Sequence, residues 1–181
     1  MPGPARQAQI LDVCRRLAVT EGYEDVTLER VARECNITRT VIYQQFGGRE
    51  GMLTALIDRE IANTAAGFAE ATSGVRDGDV ATAVRRVLEA VDADADTWRL
   101  FMLPAIGAPP ELYDRLERGR SLVRRYLAES ARRLAVGDAV DTEIFARLVH
   151  AAADEAVRLR LTHPEVYSID RLVKQIVRLT E

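Results

Sequence analysis

A chain of 181 residues with 48% hydrophobic and 29% charged residues is long enough to bury one sizeable core, or to join a small module to a larger one. Its formal net charge of -3 excludes indiscriminate adhesion to nucleic acid, and residues 1–50 balance seven Arg against seven Asp plus Glu, so any DNA contact has to come from local placement of side chains. No apolar run approaches the roughly 18 residues of a membrane span, no basic amino-terminal region leads into an apolar stretch, and Cys14 and Cys35 fall on apolar stripes as small core residues; a soluble cytoplasmic protein without a membrane partner is expected.

Apolar residues recur at three- and four-residue steps almost throughout, and no stretch alternates as a half-buried strand does, so the reading is all-helical. A first helix is expected from about Ala5 to Glu21, with Ile10, Leu11, Cys14, Leu17 and Ala18 on one face and Gly22 beyond its end. Thr27 is placed to cap a short second helix bearing Leu28, Val31, Ala32 and Cys35; Asn36 and Ile37 turn the chain, and Thr38 caps a third. Two short helices with a tight turn between them outline a helix-turn-helix. Gly47 and Gly48 close the third helix, and Arg49 opens a longer fourth one through Met52, Leu56, Ile61 and Phe68. After a loop around Ser73 to Gly78 the pattern predicts a helix through Val80 to Val91, and a short one over Thr97–Leu103 beyond the run DADAD. The loop PAIGAPP follows, then a long helix ended by Gly137, and two more over about Thr142–Thr162 and Ser168–Leu179.

The third helix carries the chemistry. At about 100° per residue, Ile42 and Phe46 point to one side, while Arg39, Thr40, Tyr43 and Gln44 point to another. Arg can donate two bonds to guanine, Thr can meet a base edge or a thymine methyl, and Gln can hold adenine bidentately, whereas the Tyr43 phenol suits a phosphate oxygen that sets register. The free N–H groups at the start of the fourth helix, beside the Arg49 guanidinium, suit a second phosphate. A merely solvated helix face is the competing reading.

The order of these features resembles the TetR family of bacterial transcriptional regulators. GYEDVTLERVARECNITRTVIYQQFGGREGML, Gly22 to Leu53, is similar to that family's Gly and aromatic, Thr before the second helix, VA, short turn, Thr, apolar-Tyr-x-x-Phe run and basic-Glu pair. The resemblance implies an all-α fold of about nine helices. Residues 1–48 would form a three-helix, helix-turn-helix DNA-binding domain, and residues 49–181 a helical ligand-binding and dimerisation domain. It also implies a dimeric repressor of double-stranded DNA released by a small-molecule effector. Thr27, Tyr43 and Arg49 would contact phosphates, and Thr38, Arg39, Thr40 and Gln44 would read bases. Thr40 stands where a small residue, often Gly, is frequent, and Gln44–Gln45 where His-Tyr or similar is frequent, so the operator sequence does not carry across.

In the larger half, Trp98, Phe101, Met102, Tyr113 and Tyr126 are candidates to line an apolar pocket, with core packing as the alternative for each. His150, with Asp154 one turn on, joins them as a candidate, but two groups are too few for a metal site. No phosphate loop, cysteine cluster or nucleophile–base pair is present in the sequence, so neither cofactor nor metal nor turnover is expected. The small and apolar residues Val149, Ala153, Ala156, Val157, Leu161, Leu172, Val173 and Ile176 mark the last two helices as a candidate homodimer surface. Pairing there would hold two reading helices one DNA turn apart, about 34–36 Å, matching a palindrome. A regulator-fold adaptor that has lost DNA binding is the main alternative, and a small helical enzyme the next.

Overall fold

The computed structural model describes residues 3–76, 78–103, 110–133 and 141–180. Those residues form nine α-helices: α1 Pro4–Thr20, α2 Leu28–Glu34, α3 Arg39–Phe46, α4 Arg49–Thr72, α5 Val80–Ala93, α6 Ala95–Met102, α7 Pro110–Arg133, α8 Thr142–Thr162 and α9 Ile169–Thr180, with a single 3-10 turn at Tyr23–Asp25. No strand occurs among them. Asp77, the loop expected over 104–109 and the helix end expected at Gly137 lie outside the described residues. No described helix is long and apolar enough to cross a membrane.

Local chemistry explains the boundaries. The Thr27 hydroxyl accepts the Arg30 N–H at 3.2 Å, so α2 is capped as the sequence predicts. Thr38 occupies the same position before α3 but its hydroxyl makes no cap bond, which leaves it exposed and uncommitted. Asn36 takes the left-handed conformation, φ 52°, and the Ile37 N–H reaches back to the Ala32 carbonyl at 2.9 Å, closing the turn. Gly47, φ 74°, ends α3 with its N–H on the Tyr43 carbonyl, and Gly48, φ 134°, redirects the chain straight into α4.

Two cores result. The first joins Ile10, Cys14, Leu17, Tyr23, Val31 and Ile42 to Met52, Leu53, Leu56 and Ile57 of α4, and it also takes in Leu100 and Phe101 of α6 and Leu112 of α7. In the second, Leu88 and Val91 of α5 pack against α8 and α9, with Trp98 and Met102 of α6 along its edge. α6 therefore faces both. Beside it runs a polar seam: buried Glu60 of α4 accepts the Thr97 hydroxyl at 2.7 Å and Arg59 Nε at 2.7 Å, while Arg15 of α1 donates to Asp94 at 3.2 Å and to Thr97 at 3.3 Å. The Thr97 hydroxyl also lies 2.8 Å from Asp94 Oδ2, so its one proton serves either carboxylate in turn.

The second core corrects the expected dimer surface. Ala156, Val157, Leu161, Leu172, Val173 and Ile176 are each under 10% exposed within a single chain, because α5 packs into the stripe they form. They hold the subunit together, so they offer little free surface to a second copy. Val149 and Ala153 are half-buried. The large apolar side chains that α8 leaves exposed are instead Ile144 and Leu148, at 57% and 66%.

Candidate nucleic-acid interface

α3 is held by its apolar side and offers the other. Ile42 is fully buried and Phe46 packs on the first core, whereas Thr38, Arg39, Thr40, Tyr43 and Gln44 are all exposed. Five of the seven residues expected to meet DNA thus share one short, rigidly seated helix start and face. Tyr43 lies beside Gly48, where a Cβ would stand 3.4 Å from its ring carbon Cε1, so the glycine leaves the ring room at the end of α3. Thr27 is half-buried and its oxygen is engaged by the cap, which still leaves its proton to donate.

Arg49 has another task. Its Nε donates to the Val26 carbonyl at 2.9 Å and one terminal nitrogen to the Tyr23 carbonyl at 2.6 Å, tying the 3-10 turn to the first residue of α4. The Tyr23 carbonyl already takes the Val26 N–H at 3.3 Å within the 3-10 turn, and the fixed guanidinium fork of Arg49 meets it and the Val26 carbonyl together. A phosphate at this helix start would face backbone N–H groups, with Arg49 acting mainly as the positioning residue behind them.

Internal pairing absorbs most of the positive charge of the reading module. Arg16 and Arg30 share Glu34, Arg30 also reaches Glu21, Arg15 holds Asp94, and Arg39 is paired with Glu29 of α2. The Glu29 carboxyl is held below the usual carboxylate range by its own backbone N–H in the first turn of α2, and then by Arg39. Both partners are more than 60% exposed, so the pair is screened and opens at little cost, leaving Arg39 available to another acceptor. Sequence reading missed Glu29, because a pair ten residues apart appears only once the turn has brought α2 and α3 side by side. It also missed Gly51, where a Cβ would stand 1.8 Å from the Phe46 carbonyl oxygen: α4 crosses the end of α3 with no room for a side chain.

The expected pocket residues divide rather than converge. Trp98 and Met102 edge the second core, and Phe101 belongs to the first. Tyr126 meets Phe68 edge-on with ring centres 6.2 Å apart, bridging α7 and α4, and Tyr113 is exposed. His150 alone lines a cleft, of about 380 Å³, between α7 and α8, and its neighbours there are arginines. Among the described residues no three His, Cys, Asp or Glu side chains are grouped as a metal site.

Comparison with known proteins bears on both parts. Residues 10–56 match the model of bacterial regulatory proteins of the tetR family. The HTH-type transcriptional regulator EthR of Mycolicibacterium smegmatis is 31% identical over 87 residues, 48% of this chain and 40% of that protein. The HTH-type transcriptional activator FasR of the same organism is 22% identical over 103 residues, 56% of this chain and 47% of that one. Each match spans less than half the length of the curated relative. In fold, a TetR-like transcriptional regulator from a Rhodococcus species agrees over 99% of this chain and 95% of its own, with a TM-score of 0.79 at 18% identity. SmeT, solved as a complex with triclosan, agrees over 97% of this chain and 90% of its own, with a TM-score of 0.75 at 19% identity.

Proposed function

We propose that the chain is a member of the TetR family of bacterial transcriptional regulators, DNA-binding proteins of helix-turn-helix type, and that it is a dimeric cytoplasmic repressor released from a palindromic operator by a small molecule. The observation that carries this reading is the exposed polar face Thr38 to Gln44, set on a helix whose Ile42 is fully buried. On this reading α1 to α3 read DNA and the helices after α4 sense the ligand, with α4 joining the two because its Met52, Leu53, Leu56 and Ile57 complete the first core. Arg39, Thr40 and Gln44 meet base edges in the major groove, Thr38 joins them from the helix start, and Tyr43 and Thr27 hold phosphates.

Two copies pair through the outer face of α8. Ile144, Leu148 and Ala151 recur at helical spacing and are exposed, whereas α9 turns Asp170, Arg171, Lys174 and Gln175 to solvent. Replacement Leu148→Glu should give a monomer by sedimentation and weaken operator binding steeply, since each reading helix would then bind alone. The small molecule acts by differential affinity: it favours an arrangement of α4 in which the two copies of α3 no longer match the groove spacing. That a fold neighbour, SmeT, was solved as a complex with triclosan supports a small-molecule ligand for this fold.

Selection of genomic fragments by the purified protein, followed by anisotropy across a salt series, tests the reading. A palindrome is expected. Arg39→Ala should cost about 1–3 kcal/mol and relax one position, whereas Tyr43→Phe should weaken all sequences alike. If no fragment is enriched even at low salt, the repressor reading fails and the adaptor takes its place.

A further inference from the structure

Four arginines from two adjacent helices meet across the groove between α7 and α8. Arg120 and Arg124 come from α7, Arg147 and Arg158 from α8, and with His150 and Asp154 they line the cleft of about 380 Å³. Helical spacing brings them there, because 120 and 124 lie one turn apart, as do 147 and 150, 150 and 154, and 154 and 158. Four guanidiniums thus face one carboxylate, in a chain whose overall charge is -3.

The acids that otherwise touch these arginines do so from their own helices and outside the lining. Glu117 pairs with Arg124, Glu143 with Arg147 and Glu155 with Arg158, each carboxylate side chain being more than half exposed, so these are screened contacts that exchange readily. Asp154 is a loose partner, 3.7 Å from Arg120 and 3.7 Å from His150 Nδ1. The floor of the cleft is His150, 7% exposed. Burial pushes its pKa below the ordinary 6.5; Asp154 and Glu117 pull it up, and Arg124 and Arg120 push it further down.

We infer that this cleft binds a small anion carrying two or more carboxylate or phosphate groups, gripped from both helices by guanidinium forks. Such a fork matches the planar pairs of oxygens on these groups and gives up little hydration on binding. The cavity is of the size that takes a small molecule. The inference names the chemical class of the effector and so rests, for its regulatory meaning, on the ligand-responsive reading above. Ala151 lies both in the cleft and on the outer face of α8, which gives a bound anion a direct route to the pairing of two copies.

Pyrophosphate and citrate, titrated into the full chain at fixed ionic strength against chloride, test this by calorimetry and by NMR of the histidine rings. The chain has two histidines, and exposed His163 serves as the internal control. The expected result is one anion per subunit with a Kd below about 1 mM. An anion beside the arginines also raises the His150 pKa and leaves His163 unmoved. The double replacement Arg120→Gln, Arg158→Gln should weaken binding about tenfold or more, as loss of charge-assisted bonds does. Which probe binds more tightly separates phosphate from carboxylate ligands. Equal, unsaturable responses at both histidines, or binding unchanged in the double variant, overturn the inference while leaving operator recognition intact. Saturable binding that leaves operator affinity unchanged upholds the site and overturns its assignment to the effector.

Discussion

Replacing Gly51 by alanine puts a methyl group where α4 crosses the end of α3. Its Cβ would stand 1.8 Å from the Phe46 carbonyl oxygen, where 3.0 Å is the closest approach that real Cβ atoms show, so α4 has to withdraw by about 1.2 Å. The obstacle is backbone, and no rotamer can relieve it. Withdrawal loosens Met52 and Leu53, both buried on that turn, and lengthens the bonds from Arg49 to Tyr23 and Val26. Overpacking of this kind costs about 1–3 kcal/mol, and weakening a charge-assisted hydrogen bond adds about 1.5 kcal/mol. A total of roughly 3 kcal/mol should lower Tm by about 6–12 °C in a chain of this size. Operator affinity should fall as well, since α3 takes its angle from α4. Gly67 is the matched control: it lies in the same helix with nothing within 4 Å of its Cβ, so Gly67→Ala should stabilise by up to about 1 kcal/mol through helix propensity. Thermal melts by circular dichroism and anisotropy on the selected operator measure both. A Gly51→Ala protein that melts with the wild type would refute the packing argument.

Glu29→Gln should tighten operator binding and raise affinity for non-specific DNA, because it releases Arg39 and removes a negative charge beside the phosphates; anisotropy at two salt concentrations reads both. Arg160 clamps Asp92 of α5 through two bonds of 2.8 and 2.6 Å and holds the Pro164 carbonyl at 2.8 Å, so Arg160→Ala should cost about 1–2 kcal/mol in urea unfolding, discounted for partial exposure. Arg160→Lys should recover little of it, since a point charge cannot reproduce the fork. Burial pushes the Cys14 thiol up to about 12, so in the native protein at pH 8 it should resist iodoacetamide and react only at the rate of unfolding, as mass spectrometry can follow.

Helix order was legible in the sequence because caps and periodicity are local. Thr27 before an apolar run, Asn36 in the turn and the pair Gly47–Gly48 are read from neighbours a few residues away. The partner of an apolar stripe is not local. Leu161, Leu172 and Ile176 announce that α8 and α9 each bury a face, but only the position of α5 decides that the face belongs to the subunit. The same limit hid the arginine cleft: each of Arg147 and Arg158 reads as half of an ordinary pair on its own helix, and their convergence with Arg120 and Arg124 exists only in the register of α7 on α8. Arg49 was placed at the start of α4, but its bonds to the Val26 and Tyr23 carbonyls were not legible, since those lie 23 and 26 residues earlier.

The first core does not end where the reading helix ends. It continues through Ile57 and borrows Leu100, Phe101 and Leu112 from the other half of the chain, with Glu60 and Thr97 sealing the junction. For anyone building chimaeric sensors, a splice after Gly48 would therefore cut through a solvent-free interior. It would strip the reading head of α4 and leave Ile10, Leu17 and Ile42 without the surfaces they pack on. A transplantable head would have to run past Glu60, and its recipient would need side chains at the places of Thr97, Phe101 and Leu112 that fit the new arrival. Exchange of one half for another is, for this architecture, a question of matching one short helix, α6, rather than of choosing a linker.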